Sequence, residues 1–143
     1  MNDGVEAGFL ALLHAAEVTQ AHVEGRLATI GLSLAKLAAL RALEDAGKPL
    51  PLGQLAERLS CVKSNITQLV DRLEADGLVA RVADPGDRRS RLAVMTPQGR
   101  KACAEGTRIQ DDTERELFGA LSTDEARQLA SLIAKITSRV AEP

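Results

Sequence analysis

Apolar residues recur at helical spacing along most of the chain and alternate with polar ones in one short stretch. From Val5 to about Thr29, the positions Phe9, Leu10, Leu12, Leu13, Ala16, Val23 and Leu27 predict a long helix. Near its start that helix is apolar on more than one face, so burial on two sides is expected, in a small protein by contact with a second chain. Gly31 ends it, and Ser33 is a suitable N-cap for the next. Leu34, Leu37, Ala38, Leu40 and Leu43 form the core face of that second helix, which Gly47 closes. Pro49-Leu50-Pro51 predicts a short extended connection, and residues 52–59 a short helix with Leu52, Leu55, Ala56 and Leu59 at helical spacing.

After a turn at Ser60-Cys61-Val62, a helix is predicted from Lys63 to Asp76. Ile66, Leu69, Val70 and Leu73 fall at i, i+3, i+4 and i+7 and share its inner face. Ser64, Gln68, Asp71 and Ala75 lie opposite, with Asn65 and Arg72 on one flank and Thr67 on the other. Gly77 can take the left-handed conformation that stops a helix. The pattern then changes to a period of two: Leu78 to Val82 and Arg91 to Met95 read as strands around the turn Asp84-Pro85-Gly86-Asp87. Two helices joined tightly, followed by a hairpin with Arg88, Arg89 and Arg91 at its tip, make a winged helix-turn-helix.

Thr96-Pro97 starts a further helix as N-cap and first helical residue, running to about Phe118, and Gly119 interrupts it. Ser122 to Glu125 is a capping box. The last helix carries Ala126, Leu129, Leu132, Ile133, Ile136 and Val140 on one stripe, for which the only partner in the chain is the first helix. The expected fold class is therefore mainly α with a small β-hairpin wing. Residues 33–95 form the winged lobe, and residues 1–30 and 97–143 the helices that would pair two chains.

Charge changes this picture only when taken locally. The whole chain has net charge −2. Between Arg81 and Lys101, however, six basic residues (Arg81, Arg88, Arg89, Arg91, Arg100, Lys101) stand against two acids (Asp84, Asp87), a local +4. Beyond Lys101 eight acids outweigh five bases. One basic surface on an acidic body suits a polyanionic partner. With two Phe, no Tyr and no Trp, the chain lacks the flat rings that single-strand binders stack on bases.

Candidate chemistry is sparse. Cys61 and Cys103 make no disulfide framework. His14 and His22 lie eight residues apart in one helix, without the third ligand zinc would want, so no metal and no cofactor is expected. No nucleophile elbow, phosphate-binding glycine loop or paired carboxylates point to an enzyme. No apolar run approaches the roughly 18 residues of a membrane span, and no leader pattern is present, so the expected location is the cytoplasm.

Two segments resemble the MarR family (multiple-antibiotic-resistance regulators). LAERLSCVKSNITQLVDRLEADGLV, from Leu55 to Val79, resembles the family's helix-turn-helix. DPGDRRSRLAVMTPQG, from Asp84 to Gly99, resembles its wing and the start of the next helix. D-x-x-D-R-R followed by T-x-x-G at this distance from a helix-turn-helix is specific, and the likeness extends over nearly the whole chain. It implies a homodimer that binds a pseudo-palindromic double-stranded operator, with half-sites on the order of 10 base pairs apart. It also implies repression relieved by a small-molecule inducer.

By residue, the resemblance implies that the helix beginning at Lys63 enters the major groove. Ser64, Asn65, Thr67 and Gln68 would lie near base edges, and Lys63 and Arg72 on phosphates. Arg89 would enter the minor groove, Asp87 would hold an arginine of the tip by a carboxylate–guanidinium bond, and Arg88 and Arg91 would contact phosphates. An inducer pocket would lie between the first, second and fifth helices, around His14, Val18, Leu37 and Arg41. The sequence departs from the family pattern at Val62 and Pro51, which stand where hydroxyl caps are common. Two other readings share these elements: a winged-helix protein-interaction adaptor without DNA binding, and a redox-sensing repressor acting through Cys61 or Cys103.

Overall fold

The chain's structure, a computed structural model, describes residues 3–59 and 63–141, with residues 63, 64 and 141 described by their backbone alone. The predicted turn at 60–62, with Cys61 and Val62, lies outside the described residues. Two compact units are distinguished, residues 1–109 and 110–143, and the division falls inside α5.

In the first unit, α1 (Asp3–Ala28) leads into α2 (Leu34–Ala46), β1 (Leu50–Pro51), α3 (Leu52–Arg58) and α4 (Lys63–Ala75). The wing strands β2 (Val79–Asp84) and β3 (Asp87–Met95) follow, then α5 (Pro97–Phe118). The second unit holds the rest of α5 and α6 (Thr123–Ala141). The predicted caps form. Ser33 Oγ accepts from Lys36 N at 3.2 Å, and Gly47 closes α2 in the left-handed conformation. The capping box is reciprocal: Ser122 N donates to Glu125 Oε1 at 2.9 Å and Glu125 N to Ser122 Oγ at 3.1 Å. Hydrogen bonding to the carboxylate from the Ser122 backbone N–H, and then from the Ser122 side chain, holds the exposed Glu125 carboxyl below the usual carboxylate range.

The sheet exceeds the predicted hairpin. Its order is β1-β3-β2, all antiparallel, because Leu50 pairs with Ala93 and Pro51 with Leu92. Proline cannot donate to a ladder and is confined to edges, which is where Pro51 sits. A two-residue strand leaves no alternation to read, so the sequence showed only an extended link. The wing strands run further toward the tip than predicted: β2 starts at Val79 and continues to Asp84, and β3 starts at Asp87 and ends, as predicted, at Met95. Val82 pairs with Leu92, Ala83 with Arg91 and Asp84 with Asp87, with an irregularity between Ala83 and Asp84.

The core of this unit is aliphatic. Leu27, Leu37, Leu40, Leu50, Leu55, Ile66, Val70 and Leu73 are all at most 1% exposed, and Cys103 joins them. The inner face of α4 is thus the roof of the core, and its opposite face is left to solvent. On α1 only Val23 and Leu27 are buried. The apolar residues near its start stay exposed within the chain, Phe9 at 60% and Leu10 at 56%, so the burial predicted there does not occur within one copy. In the second unit, Leu132 and Ile136 of the α6 stripe are likewise about half exposed, at 52% and 51%.

Candidate nucleic-acid interface

Asn65, Thr67, Gln68 and Arg72 are all exposed on α4, while Ile66, Val70 and Leu73 on its other side are fully buried. One face therefore anchors the helix and the other presents hydrogen-bonding side chains. A helix of about this length spans roughly 20 Å and fits the major groove of B-form DNA, about 12 Å wide. Lys63 and Ser64 begin α4, and their side chains lie outside the described residues.

At the wing tip, Asp84 Oδ1 accepts from Gly86 N at 2.9 Å, closing the turn. Arg88, Arg89 and Arg91 are all exposed. Asp87 Oδ1 accepts from the Arg89 backbone N–H at 3.0 Å, whereas the family pattern suggested a bond to an arginine guanidinium. A carboxylate on the residue two before Arg89 orders that backbone and so aims the side chain. Between the wing and α3 lies a cleft of about 510 Å³ lined by Gln54, Glu57, Asp87, Arg89, Ser90 and Arg91.

Three residues outside the predicted DNA-contact set tie α4 to its surroundings. Arg81, on β2, donates through Nη2 to Asp71, and its Nε is 3.7 Å from Glu74 Oε1. Its own backbone N–H donates to Glu74 Oε2 at 3.1 Å. Lys36 Nζ on α2 bonds Asp76 Oδ2 at 2.7 Å. Thr96 Oγ1 donates to the Gly77 carbonyl at 2.7 Å and accepts from Gly99 N at 3.0 Å, while Thr96 N donates to Leu78 O at 3.1 Å. Gly77, at φ 76°, turns the chain there, and a Cβ at Gly99 would collide with the Leu78 carbonyl oxygen. The T-x-x-G motif is thus the joint between the end of α4, the base of the wing and the start of α5. Arg81 belongs by chain order to the basic segment, but its charge is taken up by the acids of α4.

The residues suggested for an inducer pocket divide. Leu37 is 1% exposed and belongs to the core, and Arg41 is half-buried. His14 and Val18 are exposed on α1, upstream of that helix's buried positions. Cys103 is fully buried, and its thiol donates to Glu44 Oε2 at 3.2 Å. Burial, then the Glu44 carboxylate, push its pKa up to about 11. A reactive cysteine wants the opposite environment, exposed and cationic. Cys61 lies outside the described residues. Among the described residues no group of three or more His, Cys, Asp or Glu could hold a metal ion, and no helix is long and apolar enough to cross a membrane.

The profile of the MarR family matches residues 30–90. The transcriptional regulator HosA of Escherichia coli O111:H- is 32% identical over 106 residues, which cover 73% of this chain and 77% of that one. The chain belongs to the MarR family. It is a DNA-binding transcriptional regulator with a winged helix fold. A mutant form of MarR itself from E. coli, complexed with operator DNA, superposes with a TM-score of 0.81 at 24% identity, covering 94% of this chain and 96% of that one. BpsR of Bordetella bronchiseptica, whose DNA binding is regulated by 6-hydroxynicotinic acid, gives a TM-score of 0.77 at 26% identity over 92% and 98% of the two chains. In this winged-helix fold, α4 is the second helix of the helix-turn-helix and β2–β3 the wing.

Proposed function

We propose that this regulator is a ligand-responsive repressor that binds a pseudo-palindromic operator as a homodimer. The carrying observation is the pairing of an exposed polar face on α4 with an arginine-tipped wing. Major-groove reading falls to Asn65, Thr67 and Gln68, joined by Ser64 at the start of the helix. Asn and Gln can pair bidentately with adenine, while Ser and Thr discriminate less. Lys63, Arg72, Arg88 and Arg91 neutralise phosphates, and Arg89 enters the minor groove.

The exposed apolar positions near the start of α1 and along α6 support the dimer, since large apolar patches left bare on one copy mark contact surfaces. Residues 1–30 and 97–143 carry that contact, and residues 33–95 carry DNA. A small molecule bound around His14, Val18 and Arg41 acts as inducer, while Leu37, buried in the core, offers it no surface. The regulation of BpsR by a small aromatic acid supports a ligand of that size. An operator confines the protein to the compartment of its DNA, the cytoplasm.

Selection of duplexes from a random pool by the purified protein tests this reading. Two inverted half-sites about 10 base pairs apart are expected. A single asymmetric site would refute the symmetric dimer. Failure to retain any duplex, at any point of a salt series, would leave the adaptor reading in its place.

A further inference from the structure

Three acids, Asp71, Glu74 and Asp76, crowd the C-terminal end of the recognition helix. That placement is unfavourable twice over. Negative charge opposes the helix dipole at that end, and it also opposes DNA phosphates. In the structure each of the three has a basic partner within the protein: Arg81 for Asp71 and Glu74, Lys36 for Asp76. Of the two bases, Arg81 is the one that reaches two of the acids. Its side chain is 23% exposed, and both its guanidinium and its backbone N–H are directed to α4. Asp71 and Glu74 lie three residues apart, so one guanidinium between them senses the rotation of the helix about its axis. Arg81 stands on β2, the strand that carries the wing tip.

We infer that Arg81 is a positioning residue for operator recognition and not a phosphate contact. With Asp71 and Glu74 it forms a strut that fixes the rotation of α4 relative to the wing. Asn65 and Gln68 can then face base edges while Arg89 lies over the neighbouring groove of the same half-site. The inference rests on the groove assignments proposed above. Its charge also shields Asp71, which shares the outward face with Gln68, from the phosphates.

The test measures affinity by fluorescence anisotropy for a duplex selected by the wild-type protein and for a mixed-sequence duplex. The variants are Arg81→Ala, Asp71→Asn/Glu74→Gln, and the triple combination. Thermal melting and titration of the active fraction separate folding from affinity. Arg81→Ala and the double acid variant are each expected to weaken binding to the selected duplex about tenfold. The triple variant should bind no worse than either, because residues acting as one unit are non-additive. Affinity for the mixed-sequence duplex and the slope of log K against log[salt] should stay unchanged.

A phosphate contact behaves otherwise. Arg81→Ala would then weaken both duplexes alike and lower the salt slope by about one, and neutralising the acids would strengthen binding. That result, additive losses, or no loss in either variant would overturn the inference. Should Arg81→Ala fail to fold, the double acid variant alone decides, since weaker or stronger binding distinguishes the two roles. If the wild type selects no duplex, the DNA-docking reading itself has failed, which is a separate result.

Discussion

Arg89 and Cys103 are both single residues that invite chemistry, and their surroundings assign them opposite fates. Arg89 is exposed on a tip whose backbone Asp87 holds, so its side chain is free for a partner. Replacing it with Ala should weaken operator binding at least about tenfold in a gel-shift titration at fixed salt, the lower end of what a groove contact contributes. Unchanged affinity would remove the wing from the interface. Cys103, on the inner side of α5, is fully buried and hydrogen-bonded to Glu44 of α2.

Because the Cys103 pKa is raised from 9.0 to about 11, the fold favours the protonated thiol. Its contribution to stability is complete below pH 9.0 and is lost as pH rises toward about 11. Over that window the protein should lose roughly 2–3 kcal/mol that a Cys103→Ala variant does not lose. Urea denaturation of both at pH 8.5 and pH 11 measures the difference, and the absence of tyrosine removes one competing titration. In a Cys61→Ser background, the native protein at pH 7.5 should resist iodoacetamide for hours and react at once in urea. Rapid alkylation of the native form would revive Cys103 as an oxidant sensor.

Among the elements, the joint at Thr96 is the one on which the wing, α4 and α5 converge. Its glycine has a clear steric reason: Gly99 approaches the Leu78 carbonyl too closely for any side chain. Gly99→Ala should therefore destabilise the protein by about 2 kcal/mol, as overpacking typically does, measured by chemical denaturation. Gly53, on α3, meets nothing within 4 Å of where a Cβ would stand. Gly53→Ala should be neutral or slightly stabilising, since alanine is the better helix former. A Gly99→Ala protein as stable as Gly53→Ala would show that the close approach is not maintained in solution.

For the whole molecule, the exposed apolar stripe of α6 is the feature a single chain leaves without an account. Leu132 and Ile136 lie four residues apart on that stripe, each about half exposed. Replacing both with Glu should convert a dimer into a monomer in light scattering coupled to gel filtration. Affinity for a two-half-site operator should fall on the order of a hundredfold, because the second half-site would no longer be held near the first. A double variant that stayed dimeric would move the interface elsewhere.

Local spacing was enough to place α2, α4, the capping box and the wing turn, because those elements depend on residues three or four apart or on turn chemistry. The outward row of α4 was legible for the same reason: burying Ile66, Val70 and Leu73 forces Asn65, Thr67 and Gln68 outward. Contacts between residues distant in sequence carry no such periodic signal, and there the fold alone decided. β1 became a strand only because β3 lay beside it, some forty residues later. Arg81 counts with the basic segment by chain order, and only the fold puts Asp71, ten residues away, beside it. Cys103 is from sequence a candidate redox thiol, and only the fold sets Glu44, separated by 59 residues, against it. The sequence determined which surfaces exist, through the period of its apolar residues. Tertiary structure decided which charges on those surfaces remain free, because pairing depends on proximity that chain order does not encode.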